Sequence, residues 1–409
     1  MLKCCVSIAS LVFLFAVPLT LRAQEASIVA ALGNVSIDSL VWRLERLSGE
    51  VPVDVGNGPE TILSRNKFNT GNALAAEWLQ QRMVAMGYTP TVQAFGGSTG
   101  ENVIAVKTGL VHPDRKVVIC GHYDALPGGP VNAPAADDDG SGTCSVLEAM
   151  RVLAPFSFEN SIVFALWDEE EQGKVGSAYY AGVAAANDDT LLAVINMDAI
   201  AYDGDGDGLL RIHTRPTANS LAIKDTALMV NTAYGLNLNI AINNPGATYS
   251  DHASFWTEGY GAILVIEDFD NDGNPHYHTP TDLLQYMDLP YWQDLTRLSI
   301  ATTAVFAVPM NGPSSLTGTA NPPSLSSLSV YPNPATHEAK LWFELRHAGG
   351  VRATLVDAMG RTVQVIAQGR LSAGTHQLTL PMAQWVAGTY LVRVQADGAV
   401  RTVRVVRTP

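Results

Sequence analysis

GHYDALPGGPVNAPAADDDGSG, residues 121–142, lies between two stretches of different period. Before it, Val117, Val118, Ile119 and Cys120 form a continuous apolar run, the mark of a strand buried on both faces. After it, Val146, Leu147, Met150 and Leu153 recur at three- and four-residue steps, which predicts a helix over 143–153. A loop at the carboxyl end of a buried strand is where open α/β sheets place their chemistry. Imidazole and carboxylate both ligate zinc, so His122 with one of Asp137, Asp138 or Asp139 is a candidate metal site. A polar surface turn is the plainer reading of the stretch taken alone.

The same strand–helix alternation extends outward. Apolar runs at 162–167, 191–197 and 262–266 alternate with helical patterns at 176–186 and 221–231. Shorter strands are expected at 91–95 and 102–107. Helical patterns at 28–47 and 72–86 precede them, the second closed by Gly87, and one at 291–308 follows. Fully apolar strands separated by helices predict an α/β fold in three layers, α/β/α, around a mostly parallel central sheet. Residues 310–329 are rich in Ser, Pro, Gly and Asn without periodicity and read as a linker. From 330 to 409 short alternating strands, at 339–345, 351–357, 362–366, 374–380, 388–395 and 399–406, predict a small all-β sandwich.

A chain of 409 residues exceeds one typical domain, and 47% hydrophobic with 16% charged residues is a globular composition. The net charge of −14 is uneven: from Leu328 onward nine basic residues face four acidic ones, so the remainder is strongly acidic. An acidic body excludes a nucleic-acid partner, which needs a basic face. Lys3, an apolar stretch and Leu-Arg-Ala before Gln24 read as a signal peptide over 1–23, cut after Ala23, with no membrane-spanning segment afterwards. The first folded region is then 24–309. Of the cysteines only Cys120 and Cys144 remain, either as a disulfide or as two buried thiols.

Four strand ends carry possible ligands: His122, the Asp137–Asp138–Asp139 group, Glu170–Glu171 and Asp198, with His278 in a later loop. In a parallel sheet those ends share one edge. Two histidines and three carboxylates are too few for two separate metal sites. They suffice for a pair of zinc ions if one carboxylate bridges, and a spare glutamate then serves as general base.

The segments GHYDA, PAADDDGSG, DEEEQGKVGS, INMDA, SDHASF and NPHYHT, in this order, resemble the motifs of the secreted co-catalytic di-zinc aminopeptidases of the bacterial leucyl-aminopeptidase type. The likeness covers about residues 117–284 and implies their zinc-peptidase fold with two Zn2+ per chain. His122 and Asp198 would hold one zinc, Glu171 and His278 the other, and Asp138 would bridge. Asp124 would orient His122, the Asp138–Asp139 bond would be cis, and Glu170 would be the base acting on a zinc-bridging hydroxide. Tyr277 matches a tyrosine that polarises the scissile carbonyl in some members. Asp251 and His252 read as groups beneath the site, and Asp137, Asp168 and Glu169 as solvated neighbours. The stretch NPGATY lacks the cysteine pair and tyrosine of another branch, so the likeness carries no substrate contact onto that loop. His112, His213 and His337 belong to no motif.

Asp203, Asp205 and Asp207 match the first half of a calcium loop, as does the run from Asp268. Each has threonine at position twelve, so both read first as acidic turns, with the former trio as candidate Ca2+ ligands. VYPNPA, VDAMGR and VAGTYLVRV resemble a type IX secretion system C-terminal sorting domain, which implies engagement of that secretion machinery and export across both membranes of a Gram-negative bacterium. The expected activity is release of N-terminal residues from peptides. The competing expectations are a glutaminyl cyclase-like acyltransferase using one zinc, a carboxypeptidase or dipeptidase of the same fold, or a non-catalytic ectodomain.

Overall fold

The computed structural model describes residues 19–96, 100–236, 238–310, 325–345, 348–356, 362–396 and 399–408. Residues 1–18 of the expected signal peptide, 311–324 of the expected linker and the turn at 357–360 lie outside the described residues. The chain divides into two compact units, Met1–Ser314 and Ser315–Pro409.

The first unit opens with α1 (Leu19–Leu32) and α2 (Ile37–Leu47), so the expected cut after Ala23 falls within the first two turns of α1. The pattern read as one helix over 28–47 is therefore two. Ser36 leaves helical geometry (φ −123°, ψ 122°) and caps α2 by accepting from the Ser39 amide. A hairpin of β1 (Val53–Asp54) and β2 (Pro59–Glu60) leads to α3 (Thr70–Ala85). Then follow β3 (Thr91–Ala94), β4 (Glu101–Lys107), β5 (His112–His122), α4 (Gly140–Leu153), β6 (Asn160–Trp167), α5 (Val175–Ala186) and β7 (Thr190–Met197). The unit continues with β8 (Leu209–His213), α6 (Ser220–Ala233), β9 (Asn239–Asn243), α7 (His252–Thr257), β10 (Ala262–Glu267) and α8 (Leu289–Ala307).

Eight strands form one sheet in the order β3-β4-β6-β5-β7-β10-β8-β9. The central four, β6, β5, β7 and β10, are parallel, and β3, β4 and β8 pair antiparallel to their inner neighbours. Alternate residues of β5 serve different layers. Val117 and Ile119 join the core with α4 and α8, whereas Val118 and Cys120 join the core with α5 and α7. This is the three-layer α/β/α arrangement the periodicity implied. It also decides the cysteines: Cys120 and Cys144 belong to cores on opposite faces of the sheet, and both are free and buried.

Because the central strands are parallel, the carboxyl ends of β5, β6, β7 and β10 share one edge. The helix predicted to begin at residue 143 begins at Gly140, where Asp139 caps it by accepting from the Gly142 amide. Every residue of α4 except Arg151 is buried. No helix among the described residues is long and apolar enough to cross a membrane.

The second unit holds a three-stranded sheet, β11 (Leu325–Tyr331), β12 (Ala339–Leu345) and β15 (Gly374–Leu380). Its four-stranded sheet has the order β14 (Thr362–Leu371), β13 (Gly349–Val356), β16 (Gly388–Ala396) and β17 (Ala399–Arg407). All neighbours are antiparallel. Leu341, Phe343 and Leu345 from one sheet and Val351, Ala353, Leu355, Val392 and Val394 from the other make a single core. β11 begins inside the stretch read as linker, since its backbone pairs with β12 from Leu325 onward.

Candidate metal centre

His122 at the end of β5, Asp138 just before α4, Glu171 after β6, Asp198 after β7 and His278 in the loop after β10 supply two groups of ligand atoms that share one residue. His122, at the end of β5, places Nε2 3.3 Å from Asp138 Oδ1 and 3.6 Å from Asp198 Oδ1. His278 Nε2 lies 3.0 Å from Asp138 Oδ2 and 3.1 Å from Glu171 Oε2. His122, Asp138 and Asp198 thus form one cluster of possible metal ligands, and Asp138, Glu171 and His278 a second. The two oxygens of Asp138 face different histidines. Despite the short distances, His122 Nε2, Asp138 Oδ2, Glu171 Oε1 and His278 Nε2 are buried without a hydrogen bond among the described residues. Orphaned lone pairs of this kind, converging in two sets, fit cations of zinc's ligand preference.

Burial disfavours a charged imidazole at His122, but the carboxylates of Asp124, Asp138 and Asp198 outweigh it and raise its pKa well above the usual value. At His278 burial also lowers the pKa, and Asp138 and Glu171 more than reverse it, to about 10. For Asp138 burial works upward, and the two imidazoles overcome it and lower the pKa. A cation bound to these nitrogens must displace their protons, since ligation needs the neutral ring.

The remaining sequence-predicted residues surround this pair of clusters. Asp124 sits 3.3 Å from His122 Nδ1 and accepts the backbone N–H groups of Glu170 and Glu171 at 3.0 and 3.2 Å, so one carboxylate ties the ends of β5 and β6 together. Asp139, joined to Asp138 by a cis peptide bond, accepts from the amides of His122, Gly142 and Ala199. Asp251, at the start of α7, is fully buried with neither oxygen hydrogen-bonded among the described residues, and burial chiefly raises its carboxyl to about 7. The residues expected to be solvated neighbours are not solvated. Asp137, Asp168 and Glu169 are all buried, held respectively by the Ala201 amide and Asn274, by Asn72 and the Glu101 amide, and by Lys67. Backbone and amide donors at Asp137 and Asp168, and the Lys67 ammonium at Glu169, offset the cost of taking these carboxylates out of water.

Three residues outside every motif shape the site. Asp282 accepts the amides of Asp137 and Asp138 at 3.0 and 3.1 Å and so fixes the aspartate loop. Arg65, fully buried, donates to the carbonyls of Tyr123, Leu47, Pro134 and Ala135, clamping the loop at its two ends. His213 bonds to Tyr249. Nothing in the local sequence announces them, because their partners are backbone groups or distant side chains.

Gly142 is required by this packing. A Cβ there would lie 2.4 Å from Asp139 Oδ1, an atom already held by two N–H groups. Gly142→Ala is expected to destabilise the protein by about 1–3 kcal/mol, the usual cost of overpacking, read as a lower urea midpoint at unchanged slope. An unchanged midpoint would show that Asp139 can move freely.

A cavity of about 290 Å³ opens beside the clusters, lined by Asp138, Glu170, Asp198, Tyr249, Ile266, Phe269, Asp270 and Tyr277. Glu170 is 9% exposed, and burial, with Asp251, Asp198 and Asp124 adding to it against His122, raises its carboxyl well above the usual range. Tyr277 stacks on His278 at 3.7 Å and meets Phe269 edge-on. Elsewhere, Asp203 and Asp205 cluster with Asp272 instead of Asp207, whose carboxylate caps the Leu209 amide. The calcium trio expected from the sequence is thus not brought together.

Residues 102–303 match the model of peptidase family M28. This region is a peptidase family M28 domain. Residues 329–407 match the secretion system C-terminal sorting domain. A probable leucine aminopeptidase of Trichophyton verrucosum is 29% identical over 212 residues, which cover 49% of this chain and 55% of that protein. A probable zinc metalloprotease of Leptosphaeria maculans is 26% identical over 240 residues, covering 49% and 56%. The chain spans just over half the length of these curated relatives. Among solved structures, the LapA aminopeptidase of Legionella pneumophila superposes with a TM-score of 0.59 at 23% identity, over 69% of this chain and 75% of that one. Porphyromonas gingivalis glutaminyl cyclase gives 0.52 at 19%, over 65% and 97%. At such identities the likeness is one of fold, which the two activities share.

Proposed function

We propose that the M28 domain is a zinc-dependent aminopeptidase holding two metal ions, one on His122, Asp138 and Asp198 and one on Asp138, Glu171 and His278. The observation that carries this reading is the pair of ligand clusters that share Asp138, which turns Oδ1 to His122 and Oδ2 to His278. The zinc named for a relative agrees with the donor set. A one-metal cyclase would leave one cluster without a purpose.

Bound zinc would supply Lewis acidity, polarising the scissile carbonyl and acidifying water at the site. Glu170, on the cavity wall one residue from Glu171, takes the proton of the attacking water and returns it to the leaving amine. Asp124 holds the Glu170 backbone in place for that transfer. Tyr277 offers a hydroxyl to the carbonyl oxygen. Ile266, Phe269 and the two tyrosines receive one terminal side chain. A cavity of about 290 Å³ is at the small end for ligand pockets and suits a chain terminus better than an extended peptide.

The sorting domain supports export through type IX secretion machinery, so the activity would act outside the cell, on peptides with a free N-terminus. Metal analysis is expected to return two zinc ions per chain. A panel of aminoacyl and N-blocked peptides should show cleavage of the free-amino substrates only, abolished by chelator and restored by zinc. Cleavage of blocked substrates, or indifference to chelation, overturns the proposal. Cyclisation of N-terminal glutamine with one zinc per chain would instead favour the acyltransferase.

A further inference from the structure

Tyr249 and His213 form a hydrogen-bonded pair whose proton positions are dictated by their surroundings. The loop carrying Tyr249 is fixed on the end of β8: Gly246 N–H donates to Thr214 O at 2.7 Å, and Arg215 reaches Gly246 O at 2.9 Å. His252 Nε2 donates to Ala247 O at 2.9 Å, and Ala247 N–H donates to His213 Nδ1 at 3.0 Å. An amide nitrogen can only donate, so Nδ1 must carry the lone pair and the proton of a neutral ring sits on Nε2. His213 is 3% exposed, and burial, aided by Arg211, keeps it neutral by lowering its pKa to about 4. Its Nε2–H points to the Tyr249 hydroxyl oxygen at 3.1 Å. That oxygen therefore accepts, and its own hydrogen is left to donate elsewhere. Burial first, then Asp198 and Asp270, push the Tyr249 pKa upward, so the hydrogen stays on. Tyr249 lines the same cavity as Asp138, Glu170 and Asp198.

We propose that Tyr249 is a catalytic hydrogen-bond donor to the substrate carbonyl oxygen as it becomes tetrahedral, and that His213 is the positioning residue that orients its hydroxyl. This rests on the aminopeptidase reading above and adds to it a second donor beside Tyr277. A neutral donor preset toward developing charge stabilises the transition state more than the ground state. The hydroxyl is preset here because accepting from His213 leaves it few other rotations.

The test uses the full chain loaded with zinc. Tyr249→Phe is expected to lower kcat by about tenfold to a hundredfold, with KM within about twofold and zinc content unchanged. A phosphonic acid mimic of the tetrahedral state should weaken by the same factor, while the free amino acid product binds as before. His213→Leu should give a smaller loss of kcat, partly rescued in His213→Gln, whose amide can still donate. A Phe variant with wild-type kcat, one whose loss tracks missing zinc, or one that weakens product and mimic equally overturns the inference alone. A wild-type chain that cleaves no free-amino substrate overturns the aminopeptidase reading first, and this inference with it.

Discussion

Glu170→Gln is expected to reduce kcat by about 10²–10⁴-fold, the usual contribution of a positioned general base, while the chain still binds two zinc ions. The two properties separate because the side chains of Glu170 and Glu171 have different surroundings. Glu171 Oε2 faces His278 at 3.1 Å, whereas Glu170 lines the cavity and belongs to neither ligand cluster. The backbone of both is held by Asp124, an anchor the substitution does not touch. Glutamine keeps the shape and loses only the ability to take a proton. KM should change little, which marks a group acting in the transition state and not in substrate binding. Steady-state kinetics with metal analysis on the same sample checks both halves. Retained turnover would remove Glu170 from the reaction, and loss of one zinc would make it a ligand.

The site was legible in the sequence to the extent that its residues stand at the ends of strands that announce themselves. β6 is buried along its whole length, and its apolar run leads directly into Asp168–Glu171. β8 and β9 were not foreseen. Leu209–His213 contains Arg211 within a five-residue strand, and Asn239–Asn243 is a partly exposed edge, so neither produces a continuous apolar run. α7, six residues long, is too short for a helical period to show. Chemistry that depends on a partner remote in sequence was equally hidden. His213 looked featureless, and the NPGATY loop looked stripped of substrate contacts, until β8 brought the two together. Asp137 shows the same limit: a third aspartate beside two candidate ligands reads as solvated unless the amides of distant residues are known to surround it.

Asp138→Ala is expected to remove both metals, not one. In the first cluster Asp138 Oδ1 faces His122, and in the second Asp138 Oδ2 faces His278, so a single substitution deletes a ligand from each. What remains, His122 with Asp198 and Glu171 with His278, offers two protein side chains per ion, below the three that hold a catalytic zinc. Activity should fall by about 10³-fold or more, corresponding to the loss of roughly 4 kcal/mol or more of transition-state stabilisation. His278→Ala provides the contrast, since it touches only the second cluster and should leave about one zinc per chain, held by His122, Asp138 and Asp198. The fold should survive both changes, because the aspartate loop is held through backbone groups by Asp282 and Arg65, whose bonds do not involve the Asp138 carboxylate. Zinc per chain by elemental analysis, alongside a melt compared with chelator-treated wild type, reads the result. Two zinc ions retained by Asp138→Ala would mean that the clusters are independent and that nothing bridges them. One retained would place the carboxylate on a single metal, and the shared-ligand reading of the centre would have to be given up.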